Sequence, residues 1–313
     1  MREKLLFTIL LSSFTFYSQQ QIGNSGFEQW DNLGAPNEEP SNWNSFKTGS
    51  GSFSSFASKQ IEQSTDVRPG SSGSFSSRVY SVSTFGIIAN GNMTIGRINM
   101  GSATAASSEN YNYSVVSDTN FSETLTQSPD SIVFWVKYTP ISSGEEARMK
   151  AAIHDDYEFR DPTDANSASH LVASAELNYP STSGNWERKS VPFVYSGPSS
   201  TPEFILLTFT TNKTPGGGDG NDEILIDDVE LIYNSASMNE NEASLLNVYH
   251  SNGNLLIQSK NTLNGAYKIY NSSGVEVQTG ALSNSIKCDL NFGIYYLKTY
   301  SDDHQRTFKF FVN

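Results

Sequence analysis

Asp227 is a carboxylate whose position needs a physical reason. The stretch from Asn221 to Tyr233 reads Asn-Asp-Glu-Ile-Leu-Ile-Asp-Asp-Val-Glu-Leu-Ile-Tyr and follows Gly216, Gly217, Gly218 and Gly220. Its Ile, Leu, Val and Tyr content fits a pleated strand. Strict alternation places Leu225, Asp227, Val229, Leu231 and Tyr233 on one face, and Ile224, Ile226, Asp228, Glu230 and Ile232 on the other. Asp227 is therefore expected to interrupt the more apolar face. A carboxylate among core side chains is costly unless something pairs with it, which asks for a cation. The plainer reading is an Asp at a sheet margin, hydrogen-bonded or wet.

A second constellation has binding chemistry. On Ser131 to Tyr138, the residues Ile132, Phe134, Val136 and Tyr138 form an apolar face and leave Trp135 and Lys137 opposite. On Lys150 to Tyr157, Lys150, His154 and Asp156 share the polar face, while Trp186 and Arg188 share a face of a further strand. If these strands are neighbours, flat indole rings beside charged hydrogen-bonding groups make a surface for a sugar ring. Alternatively, the two tryptophans pack under loops or in a second core layer.

Catalytic signatures are few. The histidines stand at 154, 170, 250 and 304, and none has a zinc-binding spacing. No Gly-x-Ser-x-Gly elbow, P-loop or dinucleotide fingerprint occurs. Glycoside hydrolysis needs two carboxylates across a cleft, and Asp155, Asp156, Glu158, Asp161 and Glu187 could supply a pair. Among 33 acidic residues such a choice singles out nothing, so no catalytic residue is assigned.

The elements that must hold these residues are strands. Helical periodicity is almost absent after Gln21, and runs rich in Val, Ile, Phe, Tyr and Thr alternate with Ser, Gly, Asn and Asp clusters. Strands are expected at Arg78 to Val82, Met93 to Met100, Ser131 to Tyr138, Lys150 to Tyr157, Trp186 to Tyr195, Phe204 to Thr210 and the Asp227 stretch. Gly49 to Ser77, dominated by Ser and Gly, reads as a long exposed connection. A polar linker over 236–244 precedes a compact run of about seven short strands over 245–313. The fold class is all-β: a large sandwich over 22–235, then a small one.

Charge and termini narrow the partners. The chain has 33 acidic and 20 basic residues, which disfavours nucleic acid and anionic membrane surfaces. Residues Met1 to about Ser18, with Arg2 and Lys4 before an apolar run from Leu5 to Phe16, read as a cleaved secretory signal peptide, leaving no integral membrane segment. Losing Arg2, Glu3 and Lys4 removes a net +1, so the charge moves from −13 to −14. Cys288 is the sole cysteine, so no internal disulfide can form.

Two resemblances extend this reading. The segments Gly253-Asn-Leu-Leu-Ile257, Tyr267 to Val277, Leu290-Asn-Phe-Gly-Ile-Tyr-Tyr-Leu-Lys298 and Phe308-Lys-Phe-Phe-Val312 resemble the type A C-terminal sorting domain of the Bacteroidetes type IX secretion system. This implies an Ig-like module, the secretion machinery as partner of residues 245–313, and a secreted or outer cell-surface location. The usual Val-Tyr-Pro-Asn-Pro opening is replaced here by Val248-Tyr249-His250-Ser251-Asn252. Asn24-Ser-Gly-Phe-Glu28 with Trp30 and Trp43, together with Ile226-Asp-Asp-Val-Glu-Leu231, resembles the carbohydrate metabolism domain of Bacteroidetes and, more broadly, jelly-roll carbohydrate-binding modules. The resemblance implies a jelly roll that binds a poly- or oligosaccharide without catalysis. It also implies a structural calcium held by the Gly26 carbonyl, Glu28 and Asp227, all oxygen donors as a hard cation requires. A glycan-cleaving hydrolase and an adhesive or structural surface protein are the rival expectations.

Overall fold

The computed structural model describes residues 19–84, 86–233, 246–251, 253–259, 263, 265–301 and 304–312. The expected signal peptide and linker lie outside them. The chain divides after Tyr233 into two compact units.

In the first unit, one antiparallel sheet runs in the order β15 (Glu187–Pro192), β11 (Ser131–Thr139), β17 (Glu223–Ile232), β4 (Ser76–Tyr80) and β3 (Ile61–Ser64). The other runs β10 (Glu123–Thr124), β16 (Phe204–Thr210), β12 (Glu146–His154) and β14 (Leu171–Pro180), with β7 (Asn92–Thr94) also paired to β16. A three-stranded sheet of β13 (Arg160–Asp161), β9 (Asn110–Tyr113) and β8 (Arg97–Met100) is added to this sandwich. Two short hairpins complete it, β1 (Trp30–Asp31) with β2 (Glu39–Pro40) and β5 (Val82–Thr84) with β6 (Ile87–Ala89). Non-sequential antiparallel neighbours in two packed sheets make this a jelly-roll β-sandwich.

Alternation explains the core. Ile132, Phe134, Val136 and Tyr138 of β11 meet Ala147, Met149, Ala151 and Ile153 of β12 in one buried cluster. Phe134 stands edge-on to Phe209 at 5.2 Å between ring centroids, and Phe27 packs on Trp43 at 5.2 Å. Each such side chain stabilises the fold by roughly 1.5–3 kcal/mol through burial.

The sequence reading and the fold part at several places. The ten-residue strand β14 was not expected, because its Ala-Ser-Ala-Glu centre lacks the branched residues that mark strands. Met93 to Met100 is two strands, broken at Gly96, where an added Cβ would lie 2.4 Å from the Tyr113 carbonyl oxygen. Gly49 to Ser77 is no loose connection: it forms a 3₁₀ turn and contributes strand β3 and a pinned strap, described below.

The second unit is a smaller sandwich. One sheet contains β18 (Leu246–Ser251), β19 (Asn254–Ser259) and β22 (Ser285–Lys287). The other contains β21 (Glu276–Ala281), β20 (Ala266–Asn271), β23 (Gly293–Ser301) and β24 (His304–Val312). Leu255, Ile257, Ile269, Leu297 and Phe310 form its core, and Cys288 is buried among them as a small apolar group.

Candidate ligand-binding site

The β11 and β15 side chains converge as the sequence suggests. Trp135 pairs across the ladder with Arg188, and Lys137 lies two residues further along the same face toward Trp186. This face looks away from the sandwich core, and a strap of the chain covers part of it. Asp66 accepts hydrogen bonds from Lys137 Nζ at 2.6 Å and from Trp186 Nε1 at 2.9 Å. The Arg68 guanidinium stands 5.4 Å from the centre of the Trp135 ring. Burial alone would raise the Asp66 carboxyl, but its bonds to Lys137 and Trp186 outweigh this and hold it below the usual range. The strap thus engages the indoles and the ammonium that a sugar would use.

Asp227 belongs to this face too, which corrects the expectation from strict alternation. β17 pairs Ile132 with Leu231 and Val133 with Glu230, but then Trp135 with Asp227, so Phe134 faces two residues, Asp228 and Val229. Such a bulge reverses side-chain parity along the strand. Asp228 has a left-handed backbone, φ 41°. Ile224, Ile226, Val229 and Leu231 therefore point into the core. Asp227 shares the outer face with Trp135 and is fully buried there.

The residues expected to hold calcium pin the strap. Asp227 accepts N–H bonds from Arg68 at 3.0 Å and Asp228 at 2.8 Å, and the Asp228 carboxylate binds Arg68 Nε at 2.5 Å. Glu28 accepts from the amides of Ser74 and Phe75, each at 2.9 Å. Gly26 lies beside Asp228, since a Cβ there would come within 3.3 Å of its carboxylate. Burial pushes the Asp227 carboxyl up to about 6; the Asp228 charge adds to this, while the Arg68 amide opposes it. A buried carboxylate short of positive charge, with oxygen donors nearby, has the chemistry of a hard-cation ligand. Among the described residues no three Asp, Glu, His or Cys side chains gather to hold a metal, so main-chain carbonyls such as that of Gly26 would have to complete the shell.

His154 and Asp156 do not join Trp135. β12 lies in the opposite sheet, so the two strands are not neighbours. His154 is fully buried, stacked between Phe159 and Phe204 at centroid distances of 5.2 and 5.7 Å. Its Nε2 is 2.8 Å from Ser114 Oγ, its Nδ1 is 2.8 Å from the Asp155 carbonyl, and burial lowers the imidazole to about 4. It is a neutral structural residue. Asp156 is exposed beyond the end of β12.

A cavity of about 480 Å³ opens elsewhere, beneath the small β8–β9–β13 sheet. It is within the roughly 300–1,000 Å³ of small-molecule sites. Phe46, Phe53, Phe56, Ile87, Ile98 and Met100 supply apolar walls. Asn92, Asn112, Arg148 and Asp161 bring polar groups to it. Arg148 holds Asp161 through two nitrogens at 3.0 and 3.1 Å, and Lys150 reaches the same carboxylate at 3.0 Å. Burial would raise the Asp161 carboxyl, but these two cations outweigh it and keep it ionised. Of the five carboxylates considered for catalysis, only Asp161 lines the cavity. The cavity walls come from loops and turns distant in sequence, and a run of Phe46, Phe53 and Phe56 in a Ser/Gly-rich segment is the one trace of them in the sequence.

The fold has solved counterparts. A structure from Bacteroides thetaiotaomicron described as a "putative glycoside hydrolase" matches with a TM-score of 0.51 and 18% identity, covering 67% of this chain and 71% of that one. The first unit shares its fold. A similarly described structure from Bacteroides vulgatus has a TM-score of 0.44 and 17% identity, covering 70% of this chain and 96% of that one. A family 28 carbohydrate-binding module specific for non-crystalline cellulose has a TM-score of 0.33 and 8% identity, with 61% and 87% covered. No protein-family model matches the chain, and no curated protein matches it.

Proposed function

We propose that the first unit is a non-catalytic glycan-binding module whose ligand seats in the cavity beneath the β8–β9–β13 sheet. The observation that carries this reading is the cavity itself, in which aromatic and aliphatic walls stand over a small set of fixed polar groups. The Bacteroides thetaiotaomicron structure of the same fold is described as a glycoside hydrolase, which supports a carbohydrate ligand and bears equally on the hydrolase alternative. Binding is favoured over hydrolysis because Asp161, the one carboxylate of the lining among the described residues, is committed to Arg148 and Lys150. A glycosidase needs a second carboxylate and a proton to donate.

The test uses Phe56, a ring 61% exposed at the cavity rim. Phe56→Ala should weaken binding to a glycan panel about tenfold or more without lowering the melting temperature. The double variant Trp135→Ala, Trp186→Ala should leave affinity unchanged. If the tryptophan variant alone loses binding, the site is the β11–β15 face instead. Release of reducing sugar would establish the hydrolase reading.

The proposal includes export through the N-terminal signal and residues 245–313, giving a secreted or outer-surface protein. It also includes a structural calcium at Gly26, Glu28 and Asp227.

A further inference from the structure

The second unit carries an exposed face that the glycan-binding reading leaves unused. In its four-stranded sheet, Tyr267, Ile269, Leu297 and Phe310 point into the core. Alternation turns the residues between them outward. Cross-strand register then sets the outward side chains in rows: Ile294 beside Phe311, Tyr296 between Tyr270 and Lys309, and Lys298 between Lys268 and Thr307.

The rows grade from apolar to charged along the strands. Ile294 is 36% and Phe311 56% exposed, and the turns at that end of the sheet add Phe292 at 85% and Val275 at 57%. Among the described residues of this unit, every exposed large hydrophobic side chain except Tyr249 lies in or beside the first two rows. Lys298 stands over the Tyr300 ring at 5.7 Å and Lys309 over the Phe311 ring at 5.2 Å. Lys268 pairs with Glu276 at 2.8 Å, whereas Lys298 and Lys309 have no acidic partner among the described residues.

This order decides what the face can meet. An interface with another protein buries its apolar residues at the centre of a patch and keeps polar ones around the rim. Here the apolar residues stand at one margin, on turns and strand ends. Polarity that rises along one axis matches a medium graded in the same way. At a bilayer surface, apolar groups enter the acyl boundary, tyrosines sit among the headgroups and ammonium groups reach the phosphates. Ile294 and Lys298 are four residues apart, about 13 Å along the strand. A tip sunk about 5–10 Å into the boundary therefore brings the lysines close to the lipid phosphates. Local charge agrees: the whole chain is acidic at −13, but the described residues of these rows set three lysines against Glu276, which favours an anionic surface. We infer that this end of the second unit docks peripherally on a membrane surface containing anionic lipid, with Phe292, Ile294 and Phe311 inserted.

The inference is tested by vesicle flotation of residues 19–313, so that the apolar run from Leu5 to Phe16 cannot itself partition. Vesicles of phosphatidylcholine mixed equally with phosphatidylglycerol should carry the protein, and vesicles of phosphatidylcholine alone should bind it at least about tenfold more weakly. Phe292→Ser should lower the partition coefficient about tenfold, the scale of one buried aromatic side chain. The double variant Lys298→Glu, Lys309→Glu should remove both the preference for anionic lipid and the loss of binding with added salt. If that double variant melts at a lower temperature, Lys309→Glu alone, at an exposed position, should cost about fivefold. Flotation that is equal in wild type and Phe292→Ser, or absent from both, overturns the inference. A dimer in sedimentation that Phe292→Ser dissolves, with no vesicle binding, also overturns it and makes this face a contact between two copies of the chain.

Discussion

Asp227 lies directly across the β11–β17 ladder from Trp135, and Arg68 bridges the pair. The main-chain N–H of Arg68 donates to the carboxylate while its guanidinium stands over the indole ring. A buried acid and a half-buried aromatic ring are thus both closed off by one residue of the strap.

Stability should depend on pH through Asp227 in a recognisable direction. Its folded pKa of about 6 lies above the ordinary 3.8, so the ionised form disfavours folding. Without a bound cation, stability should rise as pH falls from about 6 toward 4, by up to about 3 kcal/mol. Asp227→Asn should remove this dependence, as read from thermal melts across pH in EDTA.

Calcium should reverse that behaviour. A cation bound by the Gly26 carbonyl, Glu28 and Asp227 stabilises the ionised carboxylate, so the melting temperature near neutral pH should increase with calcium concentration. The response should vanish in Asp227→Asn. A melt that EDTA and millimolar calcium leave unchanged would sink the metal proposal.

His154 should act in the opposite sense. Burial holds its folded pKa at about 4, below the ordinary 6.5, so the unfolded chain takes up the proton first. Stability from the neutral ring is complete above about 6.5 and is lost as pH falls toward 4, amounting to about 3 kcal/mol. His154→Gln should flatten this acid-side loss even where the variant is less stable overall. Unfolding by urea at pH 7.5 and 5.0, compared with wild type, gives the difference directly.

The strap can be probed by fluorescence. Arg68→Ala removes the cation over Trp135 and the ion pair to Asp228, with an expected destabilisation of about 1–2 kcal/mol, discounted for partial exposure. Emission from Trp135 should shift to longer wavelength as the ring becomes wetter. A Trp135→Phe control in the same background should abolish the shift.

Deleting 245–313 should leave the first unit folded, because its core is built entirely from its own residues. The proposed sorting role predicts that the truncated protein stays inside the cell envelope. Cell fractionation showing it at the surface would overturn that role.

Much of this architecture follows from the order of residues alone. Phe204 to Thr210 and Ser131 to Thr139 are strands because branched and aromatic side chains cluster there, and alternation correctly sends Phe134 inward and Trp135 outward. The sequence also singled out Asp227 as a carboxylate in need of a partner if buried; its burial on the outer face comes from the strap that carries Arg68. The sequence could not determine which way Asp227 turns. One extra residue at Asp228 reverses the parity of β17, and that bulge arises from pairing with β11, ninety residues earlier in the chain. Similarly, no local pattern reveals that β11 and β12 belong to opposite sheets, which separates His154 from Trp135. The cavity is the extreme case. Phe56, Asn92, Asn112 and Arg148 are far apart in the chain, and only the packing of turns and a three-stranded sheet against the sandwich makes them one surface. Side-chain periodicity is a local property and so can be read from sequence, whereas register and enclosure depend on long-range contacts and are decided by the tertiary fold.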